Sequence, residues 1–354
     1  MGTLISTDTW NHTQRQLNAI FTNGAWVDAY KTAGYHPLYT TPCVFEHPNI
    51  LRYVSDECLS SNSNKGNWYI WEPDEGEEML EKWDSSTMCL FMNGRTLLFA
   101  GDSLQSQFFF SFVATALSST DKMNLSTATV MRNVDTCSNL CEWTPHGSCE
   151  RPITIDCGDQ LPPYYVLYSR TNFLDTYTNT KDSTRWLELI ETHNVSLFFL
   201  NTGAHYQSDE SLILNINNSM HLLFQQNTHP VGVGLGVIYR NTFHGHDHCD
   251  RFISSSPLSR GAHYHLMDEQ LINHPNYGWQ HFDRQNQMVR EFLRVHYPQV
   301  VYVDIATSTN LRIDSHVSRE DCYLYCLPVF PPTPTNVIER RLHPYATSYL
   351  NTSY

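Results

Sequence analysis

Thr96-Leu97-Leu98-Phe99-Ala100-Gly101-Asp102-Ser103, with the run to Leu117 behind it, is the stretch whose reading decides the fold. Thr96 to Ala100 is a short, almost unbroken apolar run, the pattern of a parallel strand buried on both faces. Gly101-Asp102-Ser103 ends that run, and Gln105 to Leu117 then reads as a helix. Strand, tight turn and helix lift the side chain at the turn to the carboxyl end of a sheet. A serine in that place is a candidate nucleophile. The turn's backbone N–H groups can hold a developing oxyanion, although a base must still remove the hydroxyl proton. The plainer role for Ser103 is to cap the helix.

Working outward, three more buried-strand candidates follow: Val195–Leu200, Val231–Tyr239 and Val300–Ile305. Helical spacing falls between them at Arg185–Thr192, Ser211–Gln226 and Phe282–His296. The alternation predicts an α/β domain, a parallel sheet with helices on both faces. It covers about residues 91–345. Residues 1–90 lack clean periodicity and are rich in Tyr, Trp, Asn and Pro, so a smaller irregular N-terminal lobe is expected there. The Cys-rich stretch at 133–160 reads as an insertion rather than sheet core.

The chain carries 36 acidic and 22 basic residues, a formal charge of -14, and no run of Lys and Arg. Phosphate binding needs a concentrated basic surface, so a nucleic-acid partner is not expected. No stretch reaches the roughly 18–20 apolar residues that a membrane span requires. The N-terminus shows no basic region followed by an apolar one, so a cytoplasmic chain, or a sequence lacking its leader, is expected. Met1-Gly2 with Ser6 fits the loose N-myristoylation pattern, which is short and common. Four of the ten cysteines, Cys137, Cys141, Cys149 and Cys157, crowd together at spacings unlike a zinc knuckle. Disulfides are expected ahead of a metal, with free thiols as the alternative. Sequons at Asn11, Asn124, Asn194, Asn217 and Asn351 decide nothing in a chain this rich in Asn, Ser and Thr.

Chemistry-bearing residues gather after each strand. Asn201 and Gly203 follow the second and can offer donors to the oxyanion that Ser103 would generate. Arg240 closes the third, and a guanidinium at a buried strand's end needs a carboxylate or a substrate oxygen. His244, His246 and His248 alternate along the next segment and could share a metal ion, although no metal is expected on balance. After the last strand come Asp314, His316 and Asp321. A late Asp and His facing an early Ser would complete a triad, with Asp314 or Asp321 orienting His316.

The combined pattern resembles the trichome-birefringence-like family of polysaccharide O-acetyltransferases, also called the PC-esterase group. The likeness runs through NGRTLLFAGDSLQSQ (93–107), FLNTGAHY (199–206), VIYRNTFHGHDHC (237–249), YGWQHFDRQNQ (277–287) and RIDSHVSREDCYLYCLP (312–328). It implies a Rossmann-like, flavodoxin-like SGNH three-layer sandwich with a smaller lobe. It also implies double displacement through an acetylated Ser103, with Gly101, Asp102, Asn201, Gly203 and Arg240 around the oxyanion and substrate. No cofactor is implied. The implied partners are an acetyl donor and a polysaccharide or glycan acceptor. Family members are Golgi-lumenal with paired cysteines. The last block departs from the pattern, because the family's D-x-x-H pair falls on Asp321 and Leu324. Leucine accepts no proton, which leaves three alternatives: His316 substitutes, the blocks align differently there, or the chain is a catalytically impaired glycan-binding relative. An SGNH acetyl esterase is the hydrolytic variant of the first.

Overall fold

A computed structural model describes residues 15, 19, 22–28, 69–74, 85–120, 148–174, 185–225, 235–246, 249–251, 257–259, 278–316 and 322–325. Strands β1 (Gly24–Asp28) and β2 (Tyr69–Pro73) pair antiparallel as a separate ribbon. Helix α1 (Ser85–Met92) then leads into the apolar run, which forms β3 (Thr96–Gly101) with all six residues buried. Helix α2 (Ser103–Thr120) follows directly. Next come β4 (Cys149–Ile155), β5 (Tyr164–Arg170), α3 (Arg185–Thr192), β6 (Val195–Leu200) and α4 (Asp209–Gln225). The series ends with β7 (Gly236–Arg240), α5 (Phe282–His296), β8 (Val301–Val303) and the short α6 (Ala306–Thr309).

The six strands β3 to β8 make one mixed sheet in the order β4-β5-β3-β6-β7-β8. All pairs are parallel except β4 with β5. Counting only the parallel strands in chain order gives 2-1-3-4-5, with β3 as the strand from which the winding reverses. In such sheets ligands bind outside the carboxyl ends, at the reversal. That edge carries Ser103.

Side chains alternate across the sheet, and the two faces bury different helices. Leu97 and Phe99 of β3 join Met88, Cys89 and Met92 of α1 and the aromatic face of α2. Phe99 lies 5.2–6.0 Å, ring centre to ring centre, from Phe108, Phe109, Phe112 and Phe199. Leu98 and Ala100 pack on the other side with Trp186 of α3, Ile216 of α4 and Val289 of α5. The expected α/β architecture is therefore present.

Helix α1 adds three core residues ahead of β3. Two details differ from the sequence reading. Part of the Cys-rich stretch is sheet: β4 is its antiparallel edge strand. Pro152 lies in β4 where the register shifts between Cys149 and Ile153, and an edge strand tolerates a missing donor. Strand β7, expected over Val231–Tyr239, runs from Gly236 to Arg240, and residues 231–234 lie outside the described ones.

Disulfides Cys89–Cys157 and Cys249–Cys322 close loops of 68 and 73 residues. Each stabilises by about 4 kcal/mol in the chain-entropy model. Cys149 is also disulfide-bonded, whereas Cys137 and Cys141 lie outside the described residues. Among the sequons, Asn194 is exposed in a turn at φ 47°, and Asn217 is half-buried, accepting a hydrogen bond from the Tyr297 hydroxyl. Asn11, Asn124 and Asn351 lie outside the described residues. No described helix is long and apolar enough to cross a membrane.

Candidate functional site

The turn between β3 and α2 is held from several sides. Asp102, not Ser103, is the helix cap: its Oδ1 accepts the Leu104 N–H at 2.9 Å and, more weakly, the Gln105 N–H at 3.4 Å. Ser103 is the first helical residue, half-exposed, and no described residue hydrogen-bonds its hydroxyl. The Tyr168 hydroxyl of β5 donates toward the carbonyls of Gly101 and Asp102, at 3.0 and 2.9 Å. Gly101 sits at φ +155°, and a Cβ there would lie 2.6 Å from the Asn201 carbonyl oxygen and from Gln105 Cβ. Only glycine lets β3 end this close to β6 and α2.

Asn201, Gly203 and Arg240 come to the same edge, as the strand order requires. The Asn201 side-chain amide donates to the Arg240 carbonyl at 3.0 Å and to Thr242 Oγ1 at 3.3 Å. Both of its N–H bonds are thereby committed to joining β6 and β7. Gly203, at φ +150°, has the Thr242 side chain where a Cβ would go. Arg240 is fully buried. Its Nε donates to Gln105 Oε1 at 3.1 Å, its Nη1 to the Asn241 carbonyl at 2.9 Å, and its guanidinium lies 5.0 Å from the centre of the Phe243 ring. Burial lowers its pKa to about 10, opposed by the nearby charge of Asp102. It remains a cation at neutral pH.

Four buried polar atoms at this edge have no hydrogen-bond partner among the described residues: Asp102 Oδ2, Asn201 Oδ1, Thr202 Oγ1 and Arg240 Nη2. Buried polar groups are nearly always paired, so a cluster of exceptions marks a place where a ligand or water belongs. His205 belongs to this edge too. It sits in a turn closed by the Tyr206 N–H donating to the Gly203 carbonyl at 3.0 Å, with its ring 5.9 Å from Phe173.

His316 and Asp314 have other partners. His316 Nδ1 donates to the Leu324 carbonyl at 3.0 Å, and its Nε2 faces His246 Nδ1 at 2.7 Å. His246 Nε2 in turn faces the Asn310 carbonyl at 2.8 Å. Desolvation pushes both rings down, His246 to about 4 and His316 well below its usual value. The pair is neutral at pH 7, so three contacts share two ring protons, because carbonyls only accept. Asp314 does not orient His316. Its carboxylate receives Arg312 Nε at 3.1 Å and Nη2 at 3.3 Å, and both side chains are fully buried.

The alternating histidines likewise part company. His244 Nδ1 accepts from the Asn310 side-chain amide at 3.1 Å, and its Nε2 lies 3.7 Å from Asp283. No group of described residues could hold a metal ion. Asp247, His248 and Asp321 lie outside the described residues.

The structure thus gathers Gly101, Asp102, Ser103, Asn201, Gly203 and Arg240 at one edge, and pairs His316 with His246 and Asp314 with Arg312. Sequence reasoning missed Gln105, Tyr168 and His205. Gln105 lies in a polar first turn, followed by Ser106 and Gln107, that gave no distinct signal; its Nε2 donates to the Phe199 carbonyl at 3.0 Å. No protein-family model matches this sequence, and no curated protein matches it.

Proposed function

We propose that this chain is an acyl-transfer protein of the SGNH type, an O-acetyltransferase for a polysaccharide or glycan, with Ser103 as the nucleophile. The observation that carries it is the placement of Ser103. A half-exposed hydroxyl with no described partner begins a helix at the carboxyl end of the strand where the winding reverses, beside four unpartnered buried polar atoms. The helix start offers the Ser103 N–H and the positive end of the dipole to an oxyanion. The 2-1-3-4-5 parallel order, with helices on both faces, suits the flavodoxin-like, three-layer arrangement of SGNH proteins. The carbohydrate substrate, the acetyl donor and the Golgi or secretory lumen come from the resemblance of the five sequence blocks. The disulfides suit an oxidising compartment. Hydrolysis to free acetate, an esterase activity, follows if water reaches the acyl-serine before a sugar hydroxyl does.

A second reading has its own observation. His316, the nearest substitute for the histidine that Leu324 replaces, is fully buried with both ring nitrogens engaged, which favours a catalytically impaired glycan-binding relative.

Incubation with an activated acetyl ester, read by intact mass, separates the two. An acyl-transfer protein gains one acetyl group, and Ser103→Ala abolishes it. A wild type that takes no acetyl group leaves the binding reading.

A further inference from the structure

We infer that His205 is the general base that serves Ser103; this rests on the acyl-serine reading above.

The path of the chain puts His205 over the end of β3. That strand lies between β5 and β6. Gly101 of β3 is in register with Arg170 of β5, and the Thr171 N–H donates to the Gly101 carbonyl at 2.9 Å. On the other side, the Asn201 N–H donates to the Ala100 carbonyl at 3.0 Å. The 203–206 turn leaves β6 and reaches the segment beyond β5. The Tyr206 hydroxyl accepts the Leu174 N–H at 3.0 Å, and the His205 ring lies beside Phe173. A turn that starts at β6 and touches the exit of β5 crosses the end of the strand between them, where Asp102 and Ser103 stand. The ring accordingly feels the charges of both Asp102 and Arg170.

The chemical state suits the role. Burial lowers the His205 pKa, Asp102 from the β3 end opposes that, and Arg170 from the β5 end adds to it. The imidazole is neutral at pH 7 and half-exposed, so a substrate-bound serine can hand it a proton. Asp102 supplies the carboxylate: its Oδ1 caps α2, and its buried Oδ2 has no hydrogen bond. His316 is neutral too, but it is fully buried, with both ring nitrogens facing other groups.

In the step proposed, Ser103 Oγ gives its proton to the His205 ring as it bonds to the acetyl carbonyl carbon. The bond from that carbon to the donor's oxygen then breaks, and the His205 proton goes to the departing oxygen. In the second half a sugar hydroxyl gives its proton to His205 and bonds to the acetyl carbon. The Ser103 Oγ–carbon bond breaks, and the proton returns to Oγ.

The test is the rate of acetylation by p-nitrophenyl acetate, followed as p-nitrophenol release and by intact mass between pH 5 and 8. Wild type should acetylate faster as the pH rises through a value below 6.5. His205→Gln should lower the rate by about 10²–10⁴-fold and flatten the profile, with the melting temperature little changed at a half-exposed position. An acetylated Ser103 whose rate and pH profile survive His205→Gln overturns the assignment of His205 and leaves the nucleophile standing. A wild type that takes no label, or a label that survives Ser103→Ala, overturns both.

Discussion

The edge around Ser103 and the cluster around His316 are both polar, both buried, and both built from loops that leave parallel strands. They differ in how their hydrogen bonds close. Around His316, the Arg312–Asp314 pair is bidentate, the two histidine rings face one another, and carbonyls of Asn310 and Leu324 take up the outer ring nitrogens. Around Ser103, one carboxylate oxygen, one amide oxygen, one hydroxyl and one guanidinium nitrogen have no hydrogen-bond partner among the described residues; around His316, Arg312 Nη1 is in the same position. An unmade buried hydrogen bond costs about 1–3 kcal/mol. Such atoms occur elsewhere in the molecule too, but four of them meet at the strand ends beside Ser103, where a ligand could supply the missing partners. The cluster around His316 ties the loops after β7 and β8 together; the edge around Ser103, with four open positions, is where the proposed function puts the substrate.

Three measurements would break or sharpen that contrast, and the largest effect belongs to the His316 side. Arg312→Met removes the cation from a pair whose side chains are both fully buried. The Asp314 carboxylate is then left without its ion partner, and the expected loss is about 3–5 kcal/mol in urea unfolding. Arg312→Met with Asp314→Leu should recover most of it, since the pair's own attraction roughly offsets its desolvation. A single variant within 1 kcal/mol of wild type, at order of magnitude, would mean that the cluster is not closed as described.

Acidification is the second. His246 is buried and neutral, with a pKa lowered to about 4 from an ordinary 6.5. Added protons favour the unfolded chain first, so stability is full above 6.5 and falls as the pH drops toward 4. The expected loss is up to about 3 kcal/mol from this ring. A third proton would complete the contacts of the pair. It would have to be held in a buried site where Arg312 opposes it and the Asp314 carboxylate is already engaged, so desolvation prevails. The check is the unfolding free energy against pH for wild type and His246→Gln. The variant should show a shallower slope between pH 6.5 and 4; identical slopes would remove the histidine pair from the account.

How much of this was legible in the sequence follows from what each feature depends on. The apolar runs at Thr96–Ala100 and Val195–Leu200 need only local pattern, and the strands appear where the pattern puts them. With them comes the placing of Ser103, Asn201 and Arg240 at strand ends. Strand β5, Tyr164–Arg170, carried an aromatic, β-favouring signal but followed Pro162-Pro163 and the Cys-rich stretch. Strand β4 was masked by Pro152, which only an edge strand accommodates. The role of His316 could not be read at all. A late Asp-x-His looks the same in sequence whether the ring faces Ser103 or His246, because the choice is made by how three loops fold over one another. His205 was hidden for the same reason, since its closeness to Asp102 depends on a turn crossing a neighbouring strand.

The smallest effect should come from the Ser103 side, and its sign matters more than its size. Thr202 Oγ1 is buried and has no partner, while the Thr202 carbonyl accepts the Tyr239 hydroxyl at 2.6 Å. Thr202→Val keeps the shape and the carbonyl and removes only the hydroxyl. The same exchange at a bonded threonine costs about 1 kcal/mol, because a made hydrogen bond is lost. Here no bond is lost, and the dehydration of an unpaired hydroxyl is relieved. The variant should therefore match or exceed wild-type stability, by up to about 1 kcal/mol in the absence of substrate. Thermal unfolding measures it directly. A loss of about 1 kcal/mol would show that the Thr202 hydroxyl is bonded after all, and the edge around Ser103 would then lose one of its four open positions.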